Sequence, residues 1–530
     1  MRGFYEKVSY ILDKIIREDY AIILEPPLWE LPSRQEYGDL SSMVALRLAS
    51  ELKKDPLEIA VHIQAVLKKF LNEDIEKVEI LKPGFINIFI AKGILIDSLN
   101  EILKYKEDFF RSQRKKRILI EFLSANPTGP LSIAHGRQAV IGDVIAKVLE
   151  FLGNKVKREY YLNDEGNQIE LLISSVDARA KEIKGKDFIF PENGYKGEYI
   201  KDIAKELIRK KKKDIRNFSL DYIITMIKKD LLALDIRFDS WFSQKKLLKE
   251  GKVEEAIDRL KNKDLIYEEE GALWFAATKF GDDKDRVIKK ADGELTYFAS
   301  DIAYHRDKIN RNYDELINLW GPDHHGYIKR VKTALYALDY KKEVLKVIII
   351  QLVTLKTKER MSKRAGTFVL LSDLINDIGK DATRFYYLTR KNSSHLEFDL
   401  DLAKKASFDN PLYYIQYVCA RIESIFKKAK VNSFEKRYNN YLKEEEEFIL
   451  LRQLLQFVHC LDKVYYSLEP VFIIEFLKSL AAGFHKFYEK IRVIDNDKNL
   501  TQARLNLIEA VRIVFYCGLN LLGIKPAKKM

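Results

Sequence analysis

At 530 residues the chain is longer than one hydrophobic core usually supports, so two to four domains are expected. With 47% apolar and 32% charged residues, no low-complexity tract and no apolar run near the length of a membrane span, the composition argues against a disordered chain and a helical membrane protein. A net charge of +13, from 92 basic and 79 acidic residues, suits a polyanionic partner without requiring one.

The first stretch, "MRGFYEKVSYILDKIIRED", spaces its apolar residues as an amphipathic helix does and lacks the layout of a signal peptide. Through residue 110, helical patterns alternate with short strand-like runs such as "VEILKPGFINIFI", which predicts a small α+β module over 1–110. A basic linker, "RSQRKK", leads into "RILIEFL", the apolar pattern of a buried parallel strand. The loop "SANPTGPLSIAHGRQ" follows, then a helical pattern over 136–152 ending at Gly153, then the strand "KVKREYYL". Strand, loop, helix and strand in this order predict a right-handed parallel crossover.

Similar units at "ELINLWGPDHHGYIKRVKTALYAL" and "EVLKVIIIQLVTLK" extend the pattern, predicting a Rossmann-type, doubly wound α/β domain over 111–395 with an insertion at about 170–290. From 396 to 530 the pattern is almost wholly helical, a separate all-α bundle. The charge runs at 209–213 and 444–447 are expected to be solvated helix faces. Cys419, Cys460 and Cys517 are far apart in apolar surroundings, as core residues in a reducing cytoplasm would be, and offer no zinc knuckle.

The loop between the first sheet strand and its helix is where unpaired N–H groups and the helix dipole attract anions. His135 at the helix start can reach a phosphate oxygen there, and Gly136 lets backbone approach closely. Alone, this loop equally suits a capping turn with an incidental histidine. "KERMSKRAGT", residues 358–367, joins cations to small residues after a strand and suits a loop closing over a polyphosphate, although alone it could be a basic surface loop.

Together these segments resemble a class I aminoacyl-tRNA synthetase, specifically of the arginyl family, over essentially the whole length. The opening loop is similar to the "HIGH" region and "RMSKR" to the "KMSKS" loop; "YYLNDEGNQIELL", "WGPDHHGYIKRV", "TYFASDIAYHRDK", "NPLYYIQYVCAR" and "GLNLLGIKPAKKM" follow in the family's order. The resemblance implies ATP-dependent activation of arginine to arginyl-adenylate and transfer to tRNA, with magnesium accompanying the ATP and no zinc. It implies that His135 contacts the phosphates, with Gly136, Gly321, Met361 and Ser362 at the ATP site, that Asp323 holds the ribose, and that Lys363 and Arg360 stabilise the departing pyrophosphate.

A guanidinium wants a carboxylate in bidentate reach, and Asp301 is the best candidate; Tyr297 shares its face if that stretch is helical. The family match points to the same pair, adds Asn126 for the substrate's ammonium and carboxylate end, and suggests a supporting role for Glu121.

Three departures stand out. Ser132 replaces the first histidine of the "HIGH" pattern and Ala134 its glycine, which removes one imidazole contact while leaving a hydroxyl donor. Arg360 and Arg364 replace the first lysine and last serine of "KMSKS". Gln244 stands where a family glutamate near the guanidinium is expected. The rival readings are a synthetase for another amino acid such as cysteine, disfavoured because no thiolate-selecting cysteine and histidine cluster is present, and a synthetase-like RNA-binding protein without catalysis.

The resemblance also assigns 1–110 to the tRNA elbow and 396–530 to the anticodon. Tyr417 and Arg421 are expected at the RNA, as an aromatic and cationic stripe able to stack on bases, with Tyr413 a core candidate. Editing is not expected, a membrane partner is not expected, nothing demands more than a monomer, and adenylate formation is expected to need bound tRNA.

Overall fold

The apolar run after the basic linker becomes the central strand of a five-stranded parallel sheet. In the computed structural model, which describes residues 2–32, 34–356, 369–430 and 433–530, the chain forms two compact units: Gln113–Lys404, and Met1–Ser112 with Lys405–Met530. The first contains strands β1 (Arg117–Glu121), β2 (Lys155–Leu162), β3 (Ser240–Ser243), β4 (Glu315–Trp320) and β5 (Leu345–Ile349). They lie in the order β5-β4-β1-β2-β3, each neighbouring pair parallel.

Side chains alternate across the sheet, and both faces are covered. Leu119, Leu316 and Leu345 pack with Val331 and Leu335 of helix α3 (Tyr327–Ala337). On the other face Phe122 lies against Gly142 of helix α1 (Ile133–Phe151), where an added Cβ would sit 2.2 Å from the ring. Helix α1 starts at Ile133, three residues before the predicted position, because Ser132 caps it, and Gly153 takes the left-handed φ of +96° expected just beyond its end.

Part of the stretch expected as an insertion belongs to the sheet itself. Ser240–Ser243 pairs in parallel with β2 as the edge strand; four half-buried residues, "SWFS", are too few to carry a period. Around it stand three helices (Asn167–Ile183, Glu198–Arg209, Ile215–Ala233) and a small antiparallel sheet. Helix α2 (Tyr297–Asn310) sets Phe298, Ile302 and Tyr304 into a cluster with Leu247, Val253, Phe275 and Ile288.

The other unit combines an N-terminal part, with helix Arg2–Tyr20 and a three-stranded antiparallel sheet, with four long C-terminal helices, Pro411–Ala429, Glu445–Ser467, Val471–Lys490 and Lys498–Leu521. An ion pair between Asp39 and Arg452 at 3.1 Å joins the two sequence segments inside it. In the acidic run at 444–447, Glu444 and Glu445 are exposed as expected, but Glu447 is fully buried, accepts from Arg504 Nε at 2.8 Å and caps the backbone N–H groups of Lys443 and Glu444. A buried partner on another helix, invisible to local pattern, overrides the expectation. The basic run at 209–213 is exposed, as expected, and the three cysteines are buried and free. Among the described residues no helix is long and apolar enough to cross a membrane.

Candidate active site

The chain leaves β1 toward β2 and β3 on one side, and returns through β4 to β5 on the other. The order therefore reverses between β1 and β4, and ligands of open α/β sheets bind beyond the strand C-terminal ends at such a point. Two segments emerge there: residues 122–132 after β1, and Gly321, Pro322 and Asp323 after β4.

The first segment turns sharply, with Leu123 at φ +70° and Ser124 at φ +37°. This folds the Ser124 hydroxyl back to donate to Glu121 Oε1 at 2.9 Å. Tyr160 and Tyr199 pin the loop by donating to the Ala125 and Thr128 carbonyls at 2.7 and 2.8 Å. Asn126 is exposed on it, donating to Gln168 at 2.8 Å and accepting from Asn163 at 3.2 Å.

Ser132 is the N-cap of α1 and His135 its third residue. The Ser132 backbone N–H donates to His135 Nδ1 at 3.1 Å, with the serine Oγ 3.2 Å from the same nitrogen. An Nδ1 that accepts places the proton of the neutral ring on Nε2, a donor at a helix N-terminus. Ser132 thus orients His135. Removing its hydroxyl in Ser132→Ala is expected to lower stability by about 1 kcal/mol, read as a shift in urea midpoint without change in slope.

At Gly136 a Cβ would lie 2.6 Å from Leu371 and 2.7 Å from the Tyr387 hydroxyl, so glycine permits close helix packing there. At Gly321 a Cβ would meet Asp323 Oδ1 at 2.6 Å, so glycine lets that exposed carboxylate fold back over the end of β4.

The stretch holding Tyr297 and Asp301 is helical, as required for them to share a face. Thr296 caps it, its side chain accepting from the Ala299 N–H at 3.4 Å. Tyr297 is exposed, its hydroxyl near Gly166 beyond β2, while Asp301 is half-buried and accepts from the Tyr327 hydroxyl at 2.6 Å. Burial, reinforced by the charge of Glu121, pushes the Asp301 carboxyl up to about 7, against the Tyr327 hydrogen bond and Lys308.

A buried polar chain runs beneath. His305 Nδ1 donates to the Asp301 carbonyl at 2.8 Å, so its Nε2 accepts from Asn318 Nδ2 at 2.8 Å. Asn318 Oδ1 accepts from Lys308 at 3.0 Å, and Lys308, fully buried, pairs with Glu121. Burial, then the neighbouring Lys308 charge, pushes His305 down to about 3, so it is a neutral link throughout the physiological range. Alongside, burial opposes the charge of Glu159, but Arg311 at 2.6 Å, Lys308 and the Tyr304 hydroxyl hold its carboxyl below the usual range.

Gln244 is buried at the start of the short helix Gln244–Lys249, next to Ser243, which donates to Asp164 at 2.6 Å; it shares no hydrogen bond with Asp301. Arg360, Met361, Ser362 and Lys363 lie outside the described residues. In the other unit Tyr413 is half-buried rather than core. Its ring stacks on Tyr417, both against Phe408, which is 56% exposed, because the helix turns this face away from the apolar one bearing Leu412 and Ile415. Arg421 continues that face, over the Tyr488 ring at 4.5 Å.

Ser124, His305, Lys308, Asn318 and Tyr327 escaped the sequence reading. Asp301, His305 and Lys308 recur at helical spacing, a signal that could have found two of them.

The parallel sheet, with a capped histidine at the start of α1 and a half-buried aspartate on α2 bonded to α3, is accompanied by matches to known families. Residues 98–399 match the model for tRNA synthetases class I (R), catalytic domain, 5–90 the arginyl tRNA synthetase N terminal domain, and 415–530 the DALR anticodon binding domain. The fold and the catalytic-domain match are those of a class I aminoacyl-tRNA synthetase. Among similar proteins, the arginine–tRNA ligase of Geobacter sp. (strain M21) is 42% identical over 94% of both chains, and that of Thermotoga maritima 40% identical over 99% of both. The Thermus thermophilus arginyl-tRNA synthetase structure aligns over 100% of both chains with a TM-score of 0.81 at 19% identity, a likeness of fold. The chain belongs to the arginyl-tRNA synthetase family. It charges arginine tRNA with arginine, using ATP, and its DALR domain binds the anticodon.

Proposed function

We propose that the crevice between β1 and β4 forms arginyl-adenylate and then transfers the arginyl group to tRNA. The observation that carries this reading is the half-buried Asp301, held by a hydrogen bond from Tyr327 and one helical turn from the exposed Tyr297. In the first step the arginine carboxylate attacks the α-phosphorus of ATP and pyrophosphate leaves; in the second the tRNA 3′-terminal hydroxyl attacks the acyl carbonyl and AMP leaves.

Asp301 and Tyr297 take the guanidinium, and Asn126 the ammonium and carboxylate end. Glu121, paired with Lys308, acts in support, and Gln244 lines the pocket as a neutral group. His135 donates from Nε2 to the triphosphate, with Ser132 orienting it and Gly136 shaping its helix; Gly321 and Asp323 take the ribose. Magnesium would accompany the ATP, ligated by its phosphate oxygens, and would supply charge neutralisation there.

Lys363 and Arg360, with Met361 and Ser362, stabilise the charge on the departing pyrophosphate. Lys363→Ala is expected to lower kcat of activation by about 100-fold with arginine and ATP KM nearly unchanged, the pattern of a group acting in the transition state. A change confined to arginine affinity contradicts that role.

The functional divisions are 1–110 for the tRNA elbow, 111–395 for catalysis and 396–530 for the anticodon. Stacked Tyr413 and Tyr417, with Arg421, support an aromatic contact to unpaired bases. The working form is a cytoplasmic monomer. ATP–pyrophosphate exchange with each of the twenty amino acids, with and without tRNA, tests the whole reading. Exchange with arginine alone, dependent on tRNA, supports it; salt-sensitive tRNA binding without any exchange rejects it in favour of a non-catalytic RNA-binding role.

A further inference from the structure

Tyr327 is the first residue of α3, directly after the segment that carries Asp323, and its hydroxyl donates to Asp301 Oδ2 at 2.6 Å. The ring is held on several sides: Phe298 edge-on at 6.1 Å, Trp320 at 6.2 Å, His324 at 6.3 Å, and the Arg330 guanidinium at 5.7 Å. A hydroxyl on so confined a ring has little freedom to leave its acceptor. Burial and the adjacent Asp301 raise its pKa further above the ordinary tyrosine value, so it stays a donor at every physiological pH.

We infer that Tyr327 is a positioning residue for arginine specificity, fixing one oxygen of the Asp301 carboxylate so that the other is presented to the guanidinium. This rests on the reading of Asp301 as the guanidinium partner. The charged and titratable groups around Asp301 are Glu121 from β1, Tyr161 from β2, Tyr327 from α3, and His305 and Lys308 on its own helix, with Arg330 acting on Tyr327. Of these, only Tyr327 donates a hydrogen bond to the carboxylate.

The arrangement has a second consequence. A hydrogen bond to the carboxylate favours its charged form, opposing the burial that pushes Asp301 to about 7. Tyr327 therefore both aims the carboxylate and keeps it ionised when arginine binds. Because the same short segment bears Asp323, the proposed ribose contact and the Asp301 carboxylate are linked through Tyr327 and the seven consecutive residues 321–327.

The test is tRNA-dependent ATP–pyrophosphate exchange from pH 6 to 9 for the wild type, Tyr327→Phe, Asp301→Asn and the double variant. Phenylalanine keeps the ring and its packing, so the fold is retained. Wild-type arginine KM is expected to fall as pH rises through the Asp301 titration, because the carboxylate is the binding form and the guanidinium stays cationic. In Tyr327→Phe the arginine KM at pH 7 is expected to rise about tenfold, with kcat and ATP KM within about twofold. Losing the donor raises the Asp301 pKa, so the penalty shrinks to about twofold near pH 9. In the Asp301→Asn background Tyr327→Phe adds less than about twofold.

A Tyr327→Phe penalty equal at all pH values, or one undiminished in the Asp301→Asn background, overturns the inference. An unchanged arginine KM in Tyr327→Phe beside a raised one in Asp301→Asn overturns it while the pocket reading stands. An unchanged KM in Asp301→Asn rejects the pocket reading, and the inference with it.

Discussion

Asp301→Ala is expected to lower kcat/KM for arginine by about 1000-fold while leaving the ATP dissociation constant unchanged. Removing one partner of a desolvated, hydrogen-bonded charge pair typically costs about 2–5 kcal/mol, because the guanidinium then enters the crevice without its counter-charge. Alanine also leaves the Tyr327 hydroxyl without its acceptor. Asp323 and His135 do not bond to Asp301 directly, and the ring contacts of Tyr327 remain to hold the Asp323 segment, so ATP binding is expected to be retained. Arginine-dependent exchange at saturating tRNA gives the first number and equilibrium titration with ATP the second. Wild-type arginine kinetics in this variant remove Asp301 from the pocket.

The second large effect is on stability. Lys308 is fully buried and bonded to Glu121, itself 5% exposed, and to Asn318. In Lys308→Met the carboxylate keeps its burial and loses its counter-charge, a change expected to cost about 3–5 kcal/mol. Glu121→Gln in the same chain is expected to restore a good part of this, since a neutral amide tolerates the site better than an unpaired anion. Urea unfolding of the single and double variants measures both. A loss below about 1 kcal/mol in Lys308→Met means water or a rearranged partner already satisfies Glu121.

The sequence was most informative where structure is local. The crossover around β1 and α1 and the helical face shared by Tyr297 and Asp301 depend on residues within a few turns of each other, although the cap at Ser132 that starts α1 three residues early was not legible. Pairs closed by the fold were hidden: Lys308 and Glu121 are 187 positions apart, and Tyr327 and Asp301 are 26 apart on different helices. Nothing in a one-dimensional pattern marks a lysine for full burial until its partner is known. The same applies to Glu447, which looked like one of four solvated acids because Arg504 lies on another helix. β3 is too short to carry a period, and the packing constraint on Gly136 is hidden because the Leu371 and Tyr387 side chains that crowd it arrive from far along the chain.

The unit built from Met1–Ser112 and Lys405–Met530 is discontinuous in the chain, whereas Gln113–Lys404 is continuous. On a ribosome the first 112 residues emerge early, yet Arg452, the partner of Asp39, is among the last quarter to be made. The continuous unit can finish folding while its predecessor still waits for the closing helices. Premature termination near residue 404 would therefore release a chain whose proposed arginine pocket is fully encoded but whose opening module has lost its packing partner. Such a fragment would expose apolar surface at its beginning as well as at its broken end.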